Sequence, residues 1–231
     1  MLKRLFDISA SAFALLVFGP VIVVGAVAVK LSSKGPAFYC PQRAGIDGVP
    51  FTLFKLRTMH INHGSNNSVI TAATDSRVFR VGNILRKLKI DELPQLWNIL
   101  RGDMSVVGPR PEDLKMVEQH YDEIGMLTLT VRPGLSGVGS IYYYTHGEKM
   151  LTGDDPEEVY ARDLLPIKLA LEVVHLRKDS LVADISVIVR TIVAIAKIAA
   201  GTRQFDDPPE LPEAKKMLPP AAQPAPMPQA A

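Results

Sequence analysis

The sequence predicts an α+β fold: an N-terminal re-entrant membrane helix, a small, mainly helical cytoplasmic domain with short strands, and amphipathic helices at its surface. Three observations predict it. An apolar run from Leu5 to Leu31 holds only Asp7 and Lys30 as charges and carries Gly19-Pro20 at its middle. A stretch rich in Phe, Gly and Pro follows at 35–59. Two later stretches, 76–90 and 181–201, place apolar residues at helical spacing among basic ones. The chain divides accordingly into a membrane helix–break–helix at 1–34, a folded domain at 35–203 and a tail at 204–231.

A chain of 231 residues with 47% hydrophobic and 22% charged residues has room for one domain of moderate size plus extensions. The net charge of +2 gives no bulk electrostatic attraction to nucleic acid, and no nucleic-acid partner is expected. The single cysteine, Cys40, excludes an intrachain disulfide and fits a reducing compartment. The Pro/Ala-rich end, "DPPELPEAKKMLPPAAQPAPMPQAA", has almost no large apolar residues to offset its ordering entropy, so the tail is expected to be disordered.

The first element is the apolar segment. A straight helical span needs about 20 apolar residues, which this run supplies. A signal peptide would use Lys3-Arg4 as its basic start and "AVA" at 26–28 as its cleavage site, but the apolar run exceeds the roughly 7–15 residues of an ordinary signal core. Pro20 lacks an N–H and clashes with the carbonyl of Leu16, at about 3 kcal/mol in a helix interior. Lys3 and Arg4 precede the segment, and Lys30 and Lys34 follow it. The positive-inside rule is therefore satisfied at both ends only if both are cytoplasmic. A helix that enters one leaflet, bends at Gly19-Pro20 and returns meets that condition. A kinked single span is the competing arrangement.

At 35–59, Phe38, Tyr39, Phe51 and Phe54 favour strands, and Gly45, Asp47-Gly48 and Pro50 mark a hairpin. "HINHGSNNSVITAATD", 60–75, reads as a polar loop; its His60 and His63 lack a third metal ligand. In "SRVFRVGNILRKLKI" apolar residues at 78, 81, 84, 85 and 88 alternate with five basic ones, an amphipathic helix suited to anionic headgroups or a solvated face. A helical stretch follows Asp155-Pro156, with an interruption near Pro166. "LVADISVIVRTIVAIAKIAAG", 181–201, carries Asp184, Arg190 and Lys197. Each charge would cost about 2.5–3.5 kcal/mol at a bilayer centre, so an amphipathic surface helix fits better than a span.

The chemistry-bearing stretch is "IDELPQLWNILRGDMSVVGPRPE", 90–112. Asp91-Glu92 precede Pro94 and a helical apolar pattern. Asp is a favoured N-cap, and acids suit a first helical turn, so a purely structural cap is one reading. The other is chemical. A carboxylate can attack phosphorus as a covalent nucleophile. Two adjacent acids can hold a divalent cation together with phosphate oxygens, and helix-start N–H groups attract phosphate. Arg110, between two prolines in "GPRP", and Arg132 in "VRPG" offer guanidinium forks for phosphate. There is no P-loop and no complete G-x-G-x-x-G, since Gly137 and Gly139 lack the third glycine.

These residues resemble the bacterial sugar transferases, the monotopic polyprenol-phosphate phosphoglycosyl transferases. The resemblance runs over about residues 2–200, on "KRLFD", "GPAFYCPQRAG", "FTLFKLRTM", "RVGNILRKLKIDELPQLWNILRGDMSVVGPRPE", "VRPGLSG" and "SLVADISVIVRTI". It implies an enzyme that transfers a sugar-1-phosphate from a nucleotide diphosphate sugar to undecaprenyl phosphate, releasing the nucleoside monophosphate (UMP if the base is uridine). The step would start assembly of exopolysaccharide, O-antigen, capsule or glycoprotein glycans. The family's Asp-Glu pair falls on Asp91-Glu92, with Asp91 as nucleophile and Mg²⁺ as cofactor. Lys55, Arg110 and Asp184 match further active-site positions. The resemblance also implies a re-entrant segment with a proline at its bend, where Gly19 replaces the serine common before that proline. The expected setting is the cytoplasmic face of the bacterial inner membrane, with a homodimer among the expected partners. After "RPG" many members read "TGWAQV", whereas this chain reads "SGVGSIYYYTHGEKM", which bears on the sugar. Two other classes compete: a non-enzymatic membrane anchor or scaffold with Asp91 as a cap, and a nucleotide diphosphate sugar hydrolase.

Overall fold

The computed structural model describes residues 1–61, 76–147, 150–151 and 156–219. His63, the rest of the expected polar loop to residue 75, and the tail from 220 onward lie outside the described residues. The fold mixes helix and strand and is mainly helical. Helix α1, Leu2–Ser32, leads into four short strands: β1, Phe38–Tyr39; β2, Gln42–Ala44; β3, Pro50–Thr52; and β4, Lys55–Leu56. Helix α2, Arg80–Lys87, and a 3₁₀ turn, Ile90–Glu92, precede α3, Gln95–Arg101, and β5, Ser105–Val107. Then come α4, Leu114–His120; α5, Glu123–Thr128; β6, Gly134–Ser136; and α6, Val138–Thr145. Helix α7, Pro156–Val159, runs through a π-helical turn, Tyr160–Leu164, into α8, Leu165–Leu176, and α9, Leu181–Ala199, and α10, Leu211–Met217, complete the order. The π turn just before Pro166 is the interruption expected there, since proline cannot donate in the ladder.

Among the described residues the strands form three two-stranded sheets. β1 pairs antiparallel with β4, and β2 with β3 in the expected hairpin, Gln42 opposite Thr52 and Ala44 opposite Pro50. β5 and β6 are parallel, Ser105 opposite Gly134. Gly134, the first residue of β6, comes so close to the loop after β5 that a Cβ on it would lie 2.1 Å from the Gly108 nitrogen, so only glycine fits.

Helix α1 would be about 45 Å long if straight. The helix continues through Gly19-Pro20 without a non-helical residue, so the expected break is not a break in helical backbone. A proline removes one donor, and the turns on either side keep their own bonds. Asp7, the charge inside the apolar run, is buried and accepts from Ser105 Oγ at 3.0 Å and Val106 N at 2.9 Å. Arg4 donates to the carbonyls of Ile99 and Leu100 at 2.6 and 2.8 Å, in the last turn of α3 where carbonyls lack their full intrahelical partners. Ala14 and Leu15 pack on Leu53, Leu96, Ile99 and Met104. Further along, Ala26 and Val29 join Leu56, Phe79 and Leu85. The exit of the helix is held by Arg57, which is buried and donates to Ser33 O, Ser33 Oγ, Pro36 O and Met59 O at 2.7–3.1 Å. Both ends of α1 thus rest on the same folded body. Its outer face, including Phe13, Leu16, Val23 and Val24, is exposed.

The largest core lies between α6, α8, α9 and α10, with Val138, Tyr160, Leu164, Ile167, Leu171 and Val187 buried. The segment after 203 departs from the expected disorder. α10 buries Leu211 and Ala214, with Leu218 just beyond it, and buried Glu210 receives Arg190 at 2.9 and 3.0 Å and Lys178 at 3.0 Å. Average composition concealed three apolar residues, two on α10 and one just after it, that pack into the core.

Glu172, buried on α8, faces the start of α6 and accepts from Gly139 N at 2.9 Å. Burial pushes its carboxyl up to about 8, against the pull of the Gly139, Ser140 and Val138 N–H groups and Lys168. The folded state therefore holds this proton above the pH at which the unfolded chain, at 4.5, releases it. Stability from this group is fully present below about pH 4.5 and is lost as pH rises toward about 8. Glu172→Gln is expected to flatten the fall in Tm between pH 5 and 8.5, read by thermal denaturation. An unchanged slope would contradict it.

Candidate active site

Helix α2 ends at Lys87, and Lys89 takes a left-handed conformation, φ +56. Such a residue costs roughly 1–2 kcal/mol when it is not glycine. The reversal turns the following Ile90–Glu92 turn inward, so that Asp91 and Glu92 are 2% and 7% exposed. Lys55 Nζ, from β4, lies 3.1 Å from Asp91 Oδ2. Arg110 follows β5 on a loop fixed to β6: Gly108 N donates to Ser136 O at 2.9 Å and Gly134 N to Pro109 O at 2.7 Å. Its Nη2 donates to Glu92 Oε1 at 2.8 Å and its Nη1 to the Tyr144 hydroxyl at 2.9 Å. Tyr144, on α6, places that hydroxyl 3.5 Å from Glu92 Oε2, and its ring face holds Lys89 Nζ 3.4 Å from the centroid.

The electrostatics follow from this arrangement. Burial pushes the Glu92 carboxyl up, but Arg110, Lys89 and Lys55 together hold it well below the usual carboxylate range. Glu92 is anionic and committed to Arg110. Asp91 is different: its Oδ1 is buried and has no hydrogen-bond partner. A buried carboxylate oxygen left unmade costs about 1–3 kcal/mol.

Neither helical segment near Asp91 uses its side chain as a cap. The 3₁₀ turn is preceded by Lys89 and α3 by Pro94, without a side-chain cap bond at either. The cap reading is therefore not what the fold uses. The adjacent N–H groups are also spent, Glu92 N on Lys89 O and Leu93 N on Ile90 O, so cations rather than helix-start amides surround the carboxylates.

Of the residues expected at the site, the fold brings Asp91, Glu92, Lys55 and Arg110 together. Arg132 goes elsewhere: its Nε donates to Gly102 O at 2.8 Å, at the far end of α3 from Asp91, and the residue is exposed. Asp184 accepts from His175 Nε2 at 2.9 Å and pairs with Lys3, joining α8 and α9 to the start of α1. Burial opposes its charge, but His175 and Lys3 hold the carboxyl below its ordinary value. His60 meets Ser33 Oγ at 3.1 Å and packs edge-on against Phe79; it forms no metal cluster among the described residues.

Sequence reasoning missed Lys89, Tyr144 and Glu112 as parts of the site. Lys89 stood only in a basic stretch, and Tyr144 in a run of three tyrosines. Glu112 receives Lys168 Nζ at 2.8 Å and the Tyr160 hydroxyl, fastening the Arg110 loop to α8. Its place beside "GPRP" was the available signal.

A divalent cation has a donor suited to it here. Asp91 Oδ1 is an unengaged anionic oxygen, and hard cations take carboxylate and phosphate oxygens.

An exposed apolar helix seated on a body that buries an acid pair among lysines and an arginine defines a class: an anion-handling enzyme with an apolar anchor. The chain belongs to the bacterial sugar transferase family, whose model matches residues 1–198. It is 35% identical over 192 residues to the UDP-glucose:undecaprenyl-phosphate glucose-1-phosphate transferase of Caulobacter vibrioides, covering 82% of this chain and 68% of that one. It is 36% identical to the UDP-N-acetylgalactosamine-undecaprenyl-phosphate N-acetylgalactosaminephosphotransferase of Aeromonas hydrophila, covering 83% of this chain and 43% of the relative. The exopolysaccharide production protein ExoY of Rhizobium meliloti is 35% identical over 213 residues, covering 84% and 85%. The chain spans less than half the length of the Aeromonas relative and most of ExoY.

Proposed function

We propose that this chain transfers a sugar-1-phosphate from a UDP-sugar to undecaprenyl phosphate, releasing UMP, as the first membrane step of an exopolysaccharide, O-antigen or related glycan pathway. The observation that carries the chemistry is Asp91: a buried carboxylate with one oxygen on Lys55 and the other unengaged, beside a Glu92 already committed to Arg110. Donor phosphates would reach it past Lys55 and Arg110, whose side chains are partly open to solvent. One carboxylate oxygen of Asp91 attacks the phosphorus bonded to the sugar, and the bond to UMP breaks with its electron pair leaving on the UMP phosphate. An oxygen of undecaprenyl phosphate then attacks the same phosphorus. The bond to Asp91 breaks, and the carboxylate is restored.

Lys55, Arg110 and Lys89 neutralise donor phosphate charge, and Arg110 offers a planar fork for it. Asp91, with Glu92 beside it, would hold a Mg²⁺ ion, which would reduce repulsion between carboxylate and diphosphate and polarise phosphorus. Multiple-turnover UMP release is expected to need polyprenol phosphate and a divalent cation in a screen beginning with UDP-glucose and UDP-N-acetylgalactosamine, with at most one UMP per enzyme released when the lipid is absent. No UMP with any nucleotide sugar would overturn the function. Sugar phosphate released without lipid would indicate a hydrolase. Full activity in excess EDTA would refute the metal.

We further infer that α1 is re-entrant and that the enzyme works at the cytoplasmic face of the inner membrane. Support comes from both ends of α1 resting on one body, from basic residues at both flanks, and from its exposed apolar face. On α9, Val182, Ile185, Val189 and Ile192 form an exposed apolar stripe suited to lying in the same interface. Single cysteines at Lys3 and Lys34 in a Cys40→Ser background are expected to resist an impermeant thiol reagent in intact cells and to react after lysis. Labelling of either one from outside would contradict re-entrance.

A further inference from the structure

We propose that Tyr144 is the positioning residue that sets how the site grips the donor diphosphate, acting through Arg110 and Lys89. This rests on the reading of the site as a sugar-1-phosphate transferase.

The geometry gives it two separate handles. The hydroxyl accepts Arg110 Nη1 at 2.9 Å, while Nη2 of the same guanidinium donates to Glu92 at 2.8 Å. One side chain is thereby held at both prongs, and its plane is fixed across the acid pair. A guanidinium fixed in plane loses less freedom when it meets a phosphate than one free to rotate. The ring is the second handle. Lys89 Nζ lies 3.4 Å from the ring centroid, a cation–π contact that keeps an ammonium beside Glu92 instead of out in solvent. Lys89 also sits in a left-handed backbone conformation, so the turn carrying Asp91 and the aromatic face on α6 are joined through one residue. Tyr144 itself is half-buried and rests edge-on against Tyr143, which in turn meets Tyr160 edge-on; Tyr160 bonds Glu112 on the Arg110 loop. The tyrosines thus connect the cationic side of the site to the core on α8.

The two handles separate by substitution. Tyr144→Phe keeps the ring under Lys89 and removes the hydroxyl from Arg110. Tyr144→Leu removes both. The expected result is a stepwise rise in KM for the UDP-sugar, about tenfold for Phe and larger for Leu, with kcat falling by a smaller factor in each and KM for polyprenol phosphate moving less than that for the donor. Added salt should raise the donor KM more steeply in wild type than in Tyr144→Leu, since the variant has already lost one ordered cation. A purely structural role would lower Tm or yield and leave the constants of the folded fraction as in wild type, and that outcome would overturn the proposal. So would equal donor KM in wild type and Tyr144→Phe, or a loss confined to kcat. Wild type is assayed alongside. If it turns over no nucleotide sugar, the functional reading fails and takes this inference with it, whereas an active wild type with unchanged variants removes the inference alone.

Discussion

Asp91→Asn is expected to lower turnover by at least about 10³-fold, more than about 4 kcal/mol of transition-state stabilisation. The substitution keeps the shape of a side chain that is 2% exposed and replaces an anionic oxygen with an amide. An amide is too weak a nucleophile to form the bond to phosphorus, whatever its position. Lys55 would lose its ionic partner, but its own side chain is one-fifth exposed and can take water instead. The fold is therefore expected to survive, with a cooperative thermal transition close to that of wild type. The same comparison separates chemistry from support: a scaffold would show no change in any catalytic readout, and a collapsed site would show a lost transition.

Arg110→Lys is expected to cost about 10²-fold in kcat/KM, comparable to removing one donor from a preorganised anion site. The guanidinium reaches Glu92 and Tyr144 with two different nitrogens, at 2.8 and 2.9 Å. An ammonium has no fixed fork and satisfies one of them at a time. Positive charge is kept, so a loss of this size would assign the effect to geometry. Activity within twofold of wild type would show that charge alone suffices. Glu92 remains buried in this variant, and weaker pairing of a buried carboxylate is expected to lower Tm as well.

Much of this organisation was legible in local sequence, and the reason is range. The hairpin at β2–β3 follows from turn residues within it, and α1 and α9 from apolar runs long enough to dominate their neighbourhood. The acid pair stood out because Asp91-Glu92 are adjacent. Of what encloses the pair, Lys55 and Arg110 were legible only through the family resemblance and the proline-flanked arginine, and Tyr144 not at all, since the three converge only through the β1–β4 pairing, the parallel β5–β6 contact and α6. Arg132 had the right chemistry for a phosphate site and Asp184 matched a family position, but their partners, Gly102 O for one and His175 with Lys3 for the other, lie across the fold. The segment at 211–218 was hidden for a compositional reason: prolines around it set the average, while Leu211, Ala214 and Leu218 set the packing. Its docking also needed Glu210 to meet Arg190 and Lys178, a contact no local pattern announces.

The central claim is that Asp91 carries the sugar phosphate covalently, and intact-protein mass spectrometry addresses it most directly. The full chain is incubated with a nucleotide sugar that supports turnover and with Mg²⁺, in the absence of polyprenol phosphate, and is then digested to map any adduct. The account predicts that wild type gains the mass of one sugar phosphate, mapped to Asp91, that Asp91→Asn gains none, and that adding polyprenol phosphate discharges the wild-type adduct. An adduct mapped to another residue, or one that persists when the lipid phosphate is added, would contradict it.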